Sequence, residues 1–147
     1  MRLSRYGILP DSGGVGEWRG GNGTYREYIV ETDSDLWLWF ERSETTAWGL
    51  FGGGNGAAPC VTVDAPGQAS VDFLKINGHN LPQGTVIRSR TGGGGGYGQA
   101  LDRDPETVLS DVIDGYVTPA FAKSAYGVIV DDQMTLDHAA TLAARRR

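Results

Sequence analysis

The chain has a single cysteine, Cys60, among its 147 residues. That excludes an internal disulfide framework and any zinc site built from several thiolates, and the bland reading of Cys60 is a core thiol. Histidine is nearly as scarce. His79 stands in the turn-like NGHN and His138 in the C-terminal segment, with no H-x-x-x-H or E-x-x-H spacing to put two ligands on one helix face. No apolar run nears the roughly 20 residues of a membrane span, and MRLSRYGILPDSGG lacks the apolar stretch of a signal peptide. Positive charge is short as well, with 13 Lys and Arg against 18 Asp and Glu, a formal net charge of −5. Such a chain offers no field for a nucleic-acid backbone. The expectation is a cytoplasmic protein with neither nucleic acid nor membrane as partner.

Glycine is what the chain has in excess, 23 residues of it. Fixing a residue's backbone costs about 1–2 kcal/mol, and glycine loses more freedom than any other residue. The glycines gather in three clusters, Gly13 to Gly23, Gly52 to Gly56 and Gly92 to Gly98, the last holding five in succession from Gly92 to Gly96 before Tyr97 and Gly98. Each cluster is stitched to large aromatics: Trp18, then Trp48 and Phe51, then Tyr97. A flexible linker would be rich in serine and polar residues instead. Gly93, Gly95 and Gly98 satisfy G-x-G-x-x-G, but the next helix opens only near Pro105 and no βαβ alternation surrounds it. The remaining reading is extended, polyproline-II-like backbone packed where no side chain fits. Gly92, Gly93, Gly94, Gly95, Gly96 and Gly98 are the expected packing glycines, and Gly94→Val the expected disruptive change.

Between the clusters the residues alternate as strands do. TYREYIV and DLWLWFE are rich in β-formers, and the polar ETDSD between them predicts a hairpin. PCVTVDA, SVDFLKI and GTVIRSR follow, separated by turn signals at Asn77-Gly78 and Pro82-Gln83-Gly84. Leu36, Leu38 and Phe40 alternate with Trp37 and Trp39, which predicts a strand buried on both faces rather than a ligand platform. After Asp104 the pattern becomes helical. Asp104-Pro105-Glu106 and Thr118-Pro119 each supply a cap and a proline at the first helical position, while Gly115 and Gly127 fit the ends. VIV at 128–130 could form a short strand, and a last helix is expected over about 135–146, with Arg145, Arg146 and Arg147 at the negative end of its dipole. The predicted fold is mainly β, with glycine-rich extended segments and two or three short C-terminal helices. One domain spans 1–147, with a β and glycine-rich part over 1–103 and a helical tail over 104–147.

No self-contained active site emerges from the residues. Asp131 and Asp132 lack the EF-hand spacing. Ser12 in DSGG lacks a nucleophile elbow and a spaced histidine, and reads as a turn residue bonding to its own backbone.

Several segments nevertheless resemble one family. RYGILPDSGGVGEWRGGNGTYREYIV resembles the part of the hydantoinase B/oxoprolinase family that carries a tyrosine-glycine step, P-D-S-G-G, R-G-G and a Y-x-V strand. AWGLFGGGNGAAP is similar to its P-W-G-L-x-G-G segment, with Ala47 in place of the proline. RTGGGGGYGQALDRDPETVLSDVIDGYVTPAFAKSAYGVIV resembles its glycine run, R-D-P, D-V-x-x-G-Y-V and Y-G-V ending, with Gly98-Gln99-Ala100 where G-D-P is usual. The resemblance implies the C-terminal portion of a much longer chain, whose catalytic metal ligands lie in the N-terminal part. It implies no catalytic, cofactor-binding or metal-binding residue in this chain, with ATP and a divalent metal held by partner subunits. Those partners would be a hydantoinase-A-like ATPase and a longer hydantoinase-B-like subunit. The implied role is a small structural subunit of an ATP-dependent ketone carboxylase of the acetophenone or acetone type, using bicarbonate. Ring-opening hydantoinase or oxoprolinase chemistry is the alternative within the family. From another class, a stand-alone binding module could present Trp18, Trp37, Trp39 and Trp48. Arg19, Trp48, Phe51 and Tyr97, large side chains set among glycines, are the candidate interface or pocket residues.

Overall fold

The computed structural model describes residues 1–146. Five strands form one antiparallel sheet in the order β1 (Arg2–Ile8), β2 (Thr24–Ile29), β7 (Val86–Arg90), β4 (Cys60–Asp64) and β5 (Val71–Phe73). The other two, β3 (Ser34–Trp39) and β6 (Lys75–Leu81), pair with each other as an antiparallel ribbon. Val30, Val61, Val63, Leu81 and Ile87 are buried together, with Tyr28, Leu36, Leu38, Phe40 and Phe73 packed against them. Since these side chains come from both sheets, the ribbon lies over one face of the five-stranded sheet.

The opposite face is polar, as expected of an antiparallel sheet covered on one side. Ser4 Oγ donates to Glu27 Oε1 at 2.9 Å, Arg88 Nε pairs with Glu27 Oε2 at 3.1 Å, and Thr62 donates to Asp72 at 2.6 Å. The carboxylate of Asp64 accepts from Arg88 and from Ser70.

Three short helices follow a 3₁₀ turn at Ala100–Asp102: α1 (Pro105–Ile113), α2 (Pro119–Tyr126) and α3 (His138–Arg145). Their ends are set by local chemistry. Asp104 accepts from the Thr107 N–H at 3.2 Å and Thr118 Oγ1 from the Phe121 N–H at 3.2 Å. Gly115 (φ 75°) and Gly127 (φ 62°) take the left-handed conformation that ends α1 and α2. Val108, Val112, Val117, Ala122, Tyr126 and Val128 make a second core, into which Val15 and Ala100 reach from the glycine-rich segments. No helix among the described residues is long and apolar enough to cross a membrane.

The mainly β fold with short C-terminal helices is as predicted, but several local expectations are corrected. The hairpin of TYREYIV with DLWLWFE does not form. β2 already has β1 and β7 on its two edges, and the ETDSD link carries the chain across to the ribbon instead. Asp33 within that link accepts from the Gln83 N–H at 2.8 Å, tying it to the Pro82-Gln83-Gly84 turn. SVDFLKI breaks at Leu74 into β5 and β6, and NGHN lies within β6 rather than in a turn. Gly78 takes φ 62° there, across from the register shift between Leu36 and Leu38. β3 is not buried on both faces, because Trp37 and Trp39 are 62% and 72% exposed. VIV makes no strand, only an isolated bridge of Val130 with Leu136. That bridge, with Asp131 bonded to Thr135 at 2.6 Å, holds residues 130–136 in a loop, so α3 begins only after its cap Asp137. Arg147 lies outside the described residues.

Candidate functional site

The three glycine clusters come together as one layer. The central segment, Gly92–Gly96, runs between segments 12–23 and 47–57. Gly94 accepts from the Gly14 N–H at 2.8 Å and donates to Gly21 O at 2.9 Å. Gly93 donates to Ala57 O at 3.0 Å, and Gly96 donates to Gly54 O at 2.9 Å. Each segment thereby satisfies the backbone groups of its neighbours, as buried backbone must.

The approach is too close for side chains. A β-carbon on Gly93 would overlap the carbonyl oxygen of Ser12, one on Gly95 that of Trp48, and one on Gly96 that of Val15. Gly92 is tight, with Ala57 O at 3.0 Å from its built β-carbon. Gly94, the expected weak point, is the roomiest of the five, its nearest neighbour being Gly21 N at 3.2 Å. Gly98 differs in kind, since its φ of 75° favours glycine whatever the space. Ser12 does more than bond within its turn. Its buried Oγ donates to Leu9 O at 2.6 Å and accepts from the Gly23 N–H at 2.8 Å, closing one rim of the layer.

On this layer stands a row of exposed apolar side chains. Tyr97 and Trp18 exchange two backbone hydrogen bonds of 2.8 and 3.0 Å as an antiparallel bridge, and Tyr97 bridges Leu50 in parallel on its other side. Residues paired directly across a bridge project to the same side, so Trp18, Tyr97 and Leu50 form a row across three chain segments. Phe51 extends it, its ring 5.1 Å from that of Tyr97, and Trp48 carries the Arg42 guanidinium 5.8 Å above its ring. Trp18 is 66% exposed and Phe51 75%. Phe51 and Tyr97 thus lie at one exposed surface, and Trp48, also exposed, stands two residues before Leu50. Leu50 escaped the sequence reading because an isolated leucine beside glycines carries no periodic signal.

Arg19 stands apart from them, turned inward. Its Nε lies 3.0 Å from Asp111 Oδ1, while Arg103 Nη2 lies 2.8 Å from Asp111 Oδ2. The Arg19 guanidinium also covers the Tyr116 ring at 4.9 Å, and Arg103 Nη1 donates to Glu17 O at 2.8 Å. Asp111 is 8% exposed, on the same side of α1 as Val108. It was not singled out from sequence, although its place inside an apolar stripe was the available signal. Asp11 and Asn22 repeat the arrangement nearby. Asp11 accepts from the Thr118 N–H and hydroxyl, both at 2.7 Å, and Asn22 Nδ2 donates to Tyr116 O at 2.7 Å. These polar pairs clamp the helical tail to the glycine layer. Tyr126 sits beneath them at 1% exposure, and burial above all pushes its phenol up, with the Arg103 charge opposing.

The remaining titratable candidates are scattered. His79 packs its ring 4.8 Å from Phe73, and exposed His138 lies 3.8 Å from Glu106. Asp131 is engaged by the Gln133 and Thr135 N–H groups at 2.9 Å each. Cys60 is half-buried at the start of β4. Among the described residues no three of His, Cys, Asp and Glu converge as metal ligands would. What the arrangement offers chemically is a rigid aromatic surface.

Comparison with known proteins agrees with this architecture. The family described as hydantoinase B/oxoprolinase matches residues 1–100. The caprolactamase subunit beta of Pseudomonas jessenii is 34% identical, over 97% of this chain and 26% of its own length. The acetone carboxylase alpha subunit of Xanthobacter autotrophicus is 30% identical, over 94% of this chain and 23% of its own. The crystal structure of the ATP-dependent caprolactamase from Pseudomonas jessenii superposes with a TM-score of 0.78 at 32% identity, covering 97% of this chain and 25% of that one. The chain therefore spans about a quarter of the length of the relatives it matches. The chain belongs to the hydantoinase B/oxoprolinase family.

Proposed function

We propose that this chain is a non-catalytic structural subunit of an ATP-dependent ketone carboxylase assembly, with bicarbonate as co-substrate. A single observation carries the reading: nearly the whole chain corresponds to a quarter of the acetone carboxylase alpha subunit. Its site has the same character, since Arg19 and Arg103 are ion-paired to Asp111 inside the fold and an aromatic surface is left outside. In this reading a longer hydantoinase-B-like subunit holds the divalent metal, and a hydantoinase-A-like subunit hydrolyses ATP.

A second reading, ATP-dependent opening of a lactam, hydantoin or oxoproline ring, draws on the 34% identity to caprolactamase subunit beta. Reconstitution with the two partner subunits from the same source separates the two. ATP hydrolysis that needs this chain and rises with acetone or acetophenone plus bicarbonate is the expected result. Stimulation by caprolactam, hydantoin or 5-oxoproline alone would replace the first reading with the second. Full activity without this chain would overturn both.

A further inference from the structure

Three exposed apolar surfaces compete as contact sites. Leu3, Tyr6 and Ile8 line β1, Trp37 and Trp39 stand on the outer face of the ribbon, and the third is the row of Trp18, Tyr97, Leu50 and Phe51 with Trp48 beside it. The row differs in how it is held. Its members come from three chain segments that the glycine layer locks together through backbone bonds of 2.8–3.0 Å. Trp37 and Trp39 belong to a single strand of a two-stranded ribbon. A surface already ordered before contact loses less freedom on binding, and large aromatics dominate the energy of such contacts.

We infer that this row is the docking surface for the hydantoinase-B-like polypeptide corresponding to the three quarters of the relatives that this chain does not span. The inference rests on the proposed place of this chain in an assembly. In caprolactamase subunit beta and acetone carboxylase alpha subunit, the matching quarter and the remainder are one polypeptide. That remainder accompanies the matching quarter there, which makes it the natural cover for apolar area that a soluble monomer rarely leaves open in contiguous patches. Arg42, held over Trp48 at the margin, calls for a carboxylate or backbone carbonyl at the facing rim.

The test is co-purification and affinity measurement with the longer hydantoinase-B-like chain from the same source, using wild type, Phe51→Asn, Trp18→Ser and Trp39→Ser. Asparagine suits the φ of 52° at Phe51, so that variant keeps the backbone, and unchanged melting temperatures show that each variant folds. Phe51→Asn and Trp18→Ser are expected to weaken binding about tenfold or more each, with Trp39→Ser unchanged. Loss at Trp39→Ser without loss at Phe51→Asn overturns the choice of surface while leaving the assembly standing. A wild-type chain that binds no such polypeptide overturns the assembly and the surface together. Wild-type dimers dispersed by Phe51→Asn would identify a second copy as the occupant and overturn the inference in that way.

Discussion

Gly93 and Ser12 face each other so closely that a β-carbon on Gly93 would overlap the Ser12 carbonyl oxygen, yet Gly94 beside it has 3.2 Å to its nearest neighbour. Adjacent glycines in one run therefore differ in what they tolerate. Gly93→Ala should destabilise the chain by about 1–3 kcal/mol or more, as overpacking does. Gly94→Ala should stay within about 1 kcal/mol of wild type, because the lost freedom of the unfolded chain offsets a small adjustment. Urea unfolding followed by tryptophan fluorescence decides it, and a loss at Gly93→Ala as small as that at Gly94→Ala would show that the layer adjusts freely.

Asp111 holds two arginines from different parts of the chain. Asp111→Asn leaves Arg19 and Arg103 as buried charges short of a partner, a change that costs about 3 kcal/mol or more when the pair is well desolvated. The expected result is a clear fall in thermal stability, with the helical tail loosening first in hydrogen exchange. A change below about 0.5 kcal/mol, the ordinary range for a surface substitution, would show that the clamp contributes nothing.

Acid should weaken the polar face of the sheet. The hydrogen bond from Ser4 chiefly, then those from Tyr25 and Arg88, holds the Glu27 carboxyl below its ordinary value of 4.5. A depressed carboxylate stabilises the fold above that value and loses its contribution as pH falls through the folded-state value. Ser4→Ala should therefore flatten the decline in stability on the acid side while changing little at pH 7 in slope. Parallel stability curves for wild type and Ser4→Ala from neutral pH downward would refute the linkage.

The opposite sign applies to Tyr126. Burial raises its phenol above the ordinary 10.0, so the folded chain keeps a proton that the unfolded chain releases. Its contribution is full below that value and fades as pH rises through the folded-state value. Alkaline titration by phenolate absorbance should show one tyrosine that ionises only as the protein unfolds. In Tyr126→Phe that delayed fraction should vanish, and its persistence would assign it to another tyrosine.

The helical tail was the most legible part of the sequence, and for a local reason. Asp104-Pro105, Thr118-Pro119, Gly115 and Gly127 act within a few residues of themselves, and the structure uses each as a cap or terminator. Strand pairing is not local in that way. TYREYIV showed its strand character but not that its partners would be β1 and β7, one before it and one far beyond it.

The tryptophans of β3 show a second limit. Alternation separates two faces, but composition does not say which layer covers each, and here only the Leu36 and Leu38 side meets the sheet. The glycine clusters were readable as close-packed backbone. The intolerance of Gly93, Gly95 and Gly96 relative to Gly94 depends on carbonyls donated by remote segments, which no window of the sequence contains. Asp111 was hidden similarly, since its partners Arg19 and Arg103 reach it from separate segments.

The glycine layer also governs when the protein can become itself. Gly14 bonds to Gly94, Gly54 to Gly96 and Ala57 to Gly93, so the layer is complete only when all three segments are present, although Gly20 also bonds back to Gly14 and Gly56 to Ala47. Contacts of such long span are reached late, after loop closure has been met across most of the chain. The first two clusters bond to each other through Gly54 with Val15 and Ala57 with Ser12, but a ribosome must deliver the polypeptide beyond Gly96 before their central segment is there. Until then Trp18, Trp48 and Phe51 travel on a layer without its central segment, which makes the interval of synthesis the period when this chain most needs a chaperone or a waiting partner.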